Sequence, residues 1–499
     1  MIRTLALASS AALHLLLFLA PPTAADNFPY VGYRTAAFLP PQLKVTKTGA
    51  TDPGYIFVGP RGNQGLGTAA LIYDEDGQLV YEGPPEVTAN FRTQRLYNED
   101  VLTFWAGDMT DLGFGYGTVH ILDNTYREIY TVTLGGNFVS PFAEPRDSYI
   151  DLHESHITDR NTLLVTAYNV TQHDLTAIGG APDDYMLDGM FFEIDIATNE
   201  IVYAWSALEH LAEIPLEISK QGLGAEYGTK EKPWDAYHIN SVELMDEGYI
   251  ISLRHYWSGF YIHNNGTVMW RLSGEKNTGD FEIDDKAVFS WQHDIRVYNQ
   301  TAEGMVLSLF NNANTPTETV AATTGLSFYV DLVAHKVSTL RALSDAGDVI
   351  HSVSQGSFQL LSPESGHVVL GYGSIARVKE YDAQGRAVLT AQFGEDNAVA
   401  SYRGFKCPWK ATPFWPPAVV AIRTSDDQAT VSMSWNGATE YDNWAIYEVA
   451  TDGEASFVKS VPRAGFETTV HLSGLTSRSM QVVAREGNIP LGMSAVIDV

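Results

Sequence analysis

The feature that most narrows the fold is a repeat of short alternating strands. From residue 90 to residue 393 the chain falls into five units, at about 90–136, 149–205, 235–274, 289–343 and 352–393. Each unit alternates apolar and polar residues over runs of five to eight, the period of a half-buried strand. Turn pairs such as Asp76-Gly77, Asn265-Gly266 and Gln384-Gly385 divide such runs as hairpin turns do. Four short strands per unit, repeating every 40–55 residues or so, predict the blades of a propeller. Two fragments are left over: 54–58 with 68–73 on one side, and 401–406 on the other. Joined as one more sheet they make six blades, close the ring and remove its open edges.

Helical periodicity is nearly absent. The one helix expected lies over 206–219, with Leu208, Leu211, Ile214 and Leu216 roughly on one side and Pro215 cutting it short. Residues 413–417, Pro-Phe-Trp-Pro-Pro, form a stiff break. Beyond it the strands shorten around Trp435 and Tyr447, which predicts a small β-sandwich of fibronectin-III or immunoglobulin-like type, a packing or interaction module. The expected fold class is therefore all-β, with a six-bladed β-propeller over 26–416 and the sandwich over 417–499.

Sixty acidic against 31 basic residues leave a net charge of −29, which argues against a nucleic-acid partner or an anionic membrane surface. Residues 1–25 predict a secretory signal peptide: Arg3, a mostly apolar run over 5–19, then small residues at 23–25. That run is short and meets Pro21-Pro22, so no membrane anchor is expected, and the product is expected to be secreted. The sequons at Asn169, Asn265 and Asn299 are then candidate glycosylation sites. Cys407, the single cysteine, allows neither an intramolecular disulfide nor a thiolate metal cluster, and its surroundings predict a buried, unreactive thiol.

Three histidines occupy similar places at the starts of successive units. Residues 151–156 are Asp-Leu-His-Glu-Ser-His, 235–241 are Asp-Ala-Tyr-His-Ile-Asn-Ser, and 290–296 are Ser-Trp-Gln-His-Asp-Ile-Arg. On a radial arrangement His153, His238 and His293 converge on one axis, with Glu154 and Asp294 placed to orient them. Such histidines could simply lock neighbouring blades together. Three imidazoles could also take zinc, but no fourth-ligand motif stands nearby, so neither a metal nor a cofactor is expected.

An ordered set of further motifs accompanies them: Trp-Arg-Leu-Ser-Gly at 270–274, Leu-Phe-Asn-Asn at 309–312, Ser-Gln-Gly-Ser-Phe-Gln at 354–359, Gly-Tyr-Gly at 371–373, Ser-Tyr-Arg at 401–403, and Trp409. Over roughly 50–417 this set resembles the arylsulfotransferase family in its fungal, secreted branch. The resemblance implies a six-bladed propeller and transfer of a sulfuryl group between phenols through a sulfurylated histidine, without a nucleotide donor. It makes His238 with Asn240, His293 and His153 site residues, and places Arg296 where a guanidinium could clamp sulfate oxygens. Arg254 and His255 match in part; Asn311 and Gln355 fall in substrate-side motifs, Asn311 standing where the family carries aspartate. No residue matches the family's nucleophile motif, although His335 and His351 lie in the expected region. The partner implied is a small phenol. Two alternatives stay open: a tailoring enzyme or cyclase of fungal secondary metabolism using the same histidine and arginine groups for acid–base work, and a non-catalytic extracellular binding propeller.

Overall fold

The computed structural model describes residues 28–62 and 68–499. The signal peptide expected over 1–25 lies outside the described residues. Within them the chain is all-β; the only helical pieces are four 3-10 turns, and no helix is long and apolar enough to cross a membrane. The helix expected over 206–219 does not form. Two 3-10 turns, Ala207–His210 and Leu216–Ile218, flank Pro215, whose ring and missing N–H leave no room for a continuous helix.

Five sheets begin at Thr88–Leu96, Ser155–Ile157, Ile239–Met245, His293–Tyr298 and Ser357–Leu360, and each continues as a four-stranded antiparallel meander. A further sheet takes strands from distant parts of the chain. Gly404–Cys407 pairs antiparallel with Tyr55–Val58, which continues to Ala69–Tyr73 and Leu79–Pro85, so the expected joining of the two fragments is present. Contacts between sheets run in a cycle. Thr88–Leu96 touches Ser155–Ile157, and Thr162–His173 touches Ile239–Met245, followed in turn by His293–Tyr298, Ser357–Leu360 and Gly404–Cys407, which returns to Thr88–Leu96. Neighbours therefore cover both faces of the middle strands. Thr162–His173 is accordingly buried without alternation through its first seven residues, where a sheet wet on one side would alternate.

Two edge strands were not expected: Lys44–Lys47 pairs with Ala387–Gln392, and Glu282–Ile283 runs parallel to Lys336–Leu343. Past residue 417, a three-stranded sheet and a sheet built on Asn443–Val449 and Ser479–Glu486 share one core, with Val431, Met433 and Leu472 from the first meeting Trp444, Ile446 and Val482 from the second.

Three of the ring's innermost strands begin with a register shift, between Ala89 and Arg92, Ile239 and Ser241, and His293 and Arg296. Residues at or beside these shifts adopt positive φ: Asn90 at 55°, His238 at 46°, Trp291 at 54° and Asp294 at 58°. Such bulges re-aim side chains that simple alternation would send elsewhere.

Candidate active site

His153, His238, His255 and His293 form one buried cluster. Ring centroids lie 4.8 Å apart for His153 and His238, 4.7 Å for His238 and His255, and 6.5 Å for His238 and His293. Tyr402 presents its ring to His153 at 5.3 Å and to His293 at 6.3 Å. His335 and His351 are exposed, outside this cluster.

Two of the histidines are held by carboxylates. His153 donates Nδ1–H to Asp151 at 2.6 Å, and Asp151 is itself fixed by Thr166 Oγ1, Gly115 N and His153 N. His238 donates Nδ1–H to Asp235 at 2.5 Å. In both, Nε2 bonds to no described residue, so its lone pair is available. His293 differs: Nδ1 donates to Asn312 Oδ1 at 2.7 Å, while Nε2 accepts the Gln355 N–H at 3.1 Å. Burial, reinforced by Arg254 and neighbouring histidines, holds His238 and His293 well below the usual imidazole range, so both are neutral near pH 7.

The orienting carboxylates are thus Asp151 and Asp235, a correction to the expectation for Glu154 and Asp294. Glu154 instead binds Arg296 Nη2 at 2.8 Å and Arg403 Nη1 at 2.9 Å. Asp294 binds Arg296 and the Phe358 N–H. Burial pushes Glu154 upward, but Arg296 and Arg403 outweigh it and keep the carboxylate ionised.

Arg296 is corrected with them. Its Nε meets Asp294, Nη1 meets Glu243 at 2.9 Å and Val242 O at 3.4 Å, and Nη2 meets Glu154 and Asp294. A guanidinium so occupied by carboxylates has no fork left for sulfate. Arg254 does. Its Nη1 donates to His255 Nε2 and its Nη2 to Val353 O, while Nε is buried with no partner. No carboxylate lies within ion-pair distance of Arg254 among the described residues, and burial lowers it to about 10, still cationic. Its guanidinium sits over Trp291 at 5.0 Å.

His255 serves Arg254. Its Nδ1 donates to Asp235 O at 2.6 Å and its Nε2 accepts from Arg254. This bears on a metal, because ligand atoms of Asp235, His238 and His255 lie within 4.8 Å of one another. Both His255 nitrogens are already spent, and a guanidinium stands where a cation would need a lone pair. The three do not fit a metal site as they stand.

Asn240 joins neighbouring sheets and bonds to no histidine of the cluster. Its Nδ2 donates to Gln292 O at 2.7 Å. Asn90, at the corresponding bulge of another sheet, donates to Leu152 O at 2.9 Å. Each amide thus ties one sheet to the residue just before the next sheet's histidine. Asn311 likewise accepts from Ser290 N and donates to Thr324, away from the histidines. Its neighbour Asn312 reaches His293, since successive strand side chains point to opposite faces. Gln355, at φ 63°, reaches His293 through its backbone, and its Oε1 is buried without a partner. Asn265 and Asn299 are exposed; Asn169 is half-buried, its Oδ1 accepting from Val139 N. Burial raises the Cys407 thiol, as expected of an unreactive one.

Sequence reasoning missed Asp151, Asp235, Asn312 and Tyr402 as site residues, although all four stand inside motifs it singled out.

Comparison with known proteins adds a family. The arylsulfotransferase (ASST) family model matches residues 92–394. No curated protein matches. Among solved structures, a Fusarium graminearum GH93 α-L-arabinofuranosidase with arabinobiose is 10% identical, with a TM-score of 0.32, covering 78% of this chain and 94% of its own. A Penicillium chrysogenum α-L-arabinanase is 11% identical at a TM-score of 0.31, covering 71% and 90%. A streptogramin B lyase is 9% identical at 0.31, covering 71% and 89%. Likeness so slight says nothing about activity.

Proposed function

Since the chain belongs to the arylsulfotransferase family, we propose that it transfers a sulfuryl group from an aryl sulfate to a second phenol, without a nucleotide donor, using His238 as the carrier. The observation that supports this best is the His238 imidazole: neutral, fixed through Nδ1 by Asp235, with Nε2 open and Arg254 close enough to depress its basicity.

In the first half-reaction Nε2 of His238 attacks sulfur. The N–S bond forms, the S–O bond to the aryl group breaks, and the aryl group leaves as its phenolate. Arg254, with an unpaired Nε–H, stabilises charge on the sulfuryl oxygens. In the second half the acceptor phenol gives its proton to His153 Nε2 and attacks sulfur, the N–S bond breaks to restore His238, and His153 passes that proton on to the departed phenolate. Tyr402 and Trp291 wall the aromatic ring. The protein around this site is then a secreted six-bladed propeller over 26–416 with a fibronectin-like sandwich over 417–499, bearing glycans at the exposed Asn265 and Asn299.

Intact-mass analysis after brief exposure to 4-nitrophenyl sulfate tests the reading. A gain of about 80 Da, the sulfuryl group on histidine, is expected, with release of 4-nitrophenol. Peptide mapping should place it on His238, and His238→Ala should abolish it. Neither adduct nor released phenol from this or other aryl sulfates would overturn the activity. An adduct on another histidine would overturn the assignment of His238.

A further inference from the structure

Away from the histidines, a cavity of about 440 Å³ lies between the N-terminal segment and the sheet that joins the two chain ends. Its walls are largely apolar, with Phe38, Leu71, Phe393 and Val399 among them, but Arg61 and Glu82 also line it. Arg61 belongs to the short strand Arg61–Gly62 and stands opposite Ala400 of Val399–Ala400. Its Nη1 is buried and bonded to no described residue, and no carboxylate lies within ion-pair distance among the described residues. The adjoining residues 63–67, Asn-Gln-Gly-Leu-Gly, carry no charge. The only neighbouring group that perturbs Arg61 is Tyr402, and burial lowers it to about 10. Glu82 is held by its backbone, which exchanges two hydrogen bonds with the Asn436 side chain. Its carboxyl is unpaired: Oε2 is buried without a partner, and burial alone raises it to about 7.

A buried cation without a counter-ion is costly unless something supplies one. Arg61 and Glu82 do not supply each other: no ion pair joins them, and neither shifts the other. The cavity is apolar between two separate unsatisfied groups, a guanidinium fork suited to a carboxylate and a carboxyl suited to a hydroxyl.

We propose that this cavity binds a small hydroxylated carboxylate with an apolar body, its carboxylate on Arg61 and its hydroxyl on Glu82. No histidine of the cluster lines this cavity, although Tyr402 stands near Arg61, and binding here does not depend on sulfuryl transfer.

Calorimetric titration of the full chain with 4-(hydroxymethyl)cyclohexanecarboxylate, which has no phenol to compete for the histidine site, tests this. One site per chain is expected. The methyl ester should bind at least tenfold more weakly, as should the acid to Arg61→Met. Leu39→Glu, at a cavity-lining residue 48% exposed, brings a like charge to the rim without disturbing the core, and should weaken binding several-fold even if Arg61→Met folds poorly. Affinity should be the same in His238→Ala. Absence of binding, equal affinity for acid and ester, unchanged affinity in Leu39→Glu, or loss of binding in His238→Ala would each overturn the proposal.

Discussion

Asp235 and Asp151 act on chemistry only through the histidines they hold. Each fixes Nδ1–H and so directs the Nε2 lone pair at the cluster. Asp235→Asn keeps size and polarity but can equally present an N–H to Nδ1, which moves the imidazole proton to Nε2 and removes the nucleophile. A fall of about 100-fold or more in kcat, with KM for the aryl sulfate changed far less, is expected from steady-state kinetics. The pH profile has a definite sign. Burial, then His153 and Arg254, depress His238 below the ordinary imidazole value, so acid must go further before it takes up a proton. The rate limited by sulfuryl transfer to His238 should therefore not halve near pH 6.5; a half-point there would mean an imidazole titrating as if in water. Much of this site was legible. Three histidines in matching positions could be picked out from their motifs, but their partners could not. At His293 and His238 the chain departs from regular pleating, with bulges and positive φ, so counting along a strand no longer tells which side chain faces the axis. Asp294 and Arg296 lie within one such bulge, which turns Asp294 to Arg296 and the Phe358 N–H instead of to His293. Glu154 lies at no bulge, and its partners Arg296 and Arg403 are too distant in sequence for a local motif to name.

Those displaced charges matter for the strands that carry the site. Glu154 stands at the start of one inner strand and binds Arg296 on another and Arg403 just before a third. Arg403 also reaches Asn240 O, and Asp294 reaches the start of a fourth inner strand at Phe358. The network thus ties these strand starts together, two of which, Ile239–Met245 and His293–Tyr298, carry a register shift. Removing one charge from a fully buried set leaves its partners uncompensated, at a cost of about 3–5 kcal/mol. Glu154→Gln should lower stability by that order in denaturant unfolding, and adding Arg403→Met should recover part of it, because the stranded cation is then gone too. Simple loss of a surface ion pair would cost less than about 1 kcal/mol and show no recovery. At this scale regular strands were readable from alternation and turn residues. The edge strand Lys44–Lys47 was not, since it is mostly exposed and carries no burial pattern to read.

Across the whole molecule, the C-terminal pair of sheets is docked on the ring through bonds that include no histidine of the cluster. Tyr126 is the pivot: its hydroxyl donates to Gly437 O at 2.8 Å and accepts from Trp409 Nε1 at 3.0 Å, and its ring stacks on Tyr81. Gly437 N in turn donates to Val80 O. Gly437 has φ +89°, and a Cβ there would stand 2.7 Å from the Tyr126 ring. Only glycine allows both the backbone conformation and this approach. Gly437→Val must bear strained backbone, about 1–3 kcal/mol, and overpacking of similar size. If docking serves stability alone, thermal unfolding should begin several degrees earlier while kcat per folded molecule stays within about twofold, since no hydrogen bond of the Gly437 junction reaches a histidine of the cluster. Should kcat fall with the junction intact by near-ultraviolet dichroism, the C-terminal sheets would have to govern the site through the ring. Neither the junction nor its dependence on one glycine could be read from the sequence, because Gly437 and Tyr126 are 311 residues apart and meet only once both units have folded.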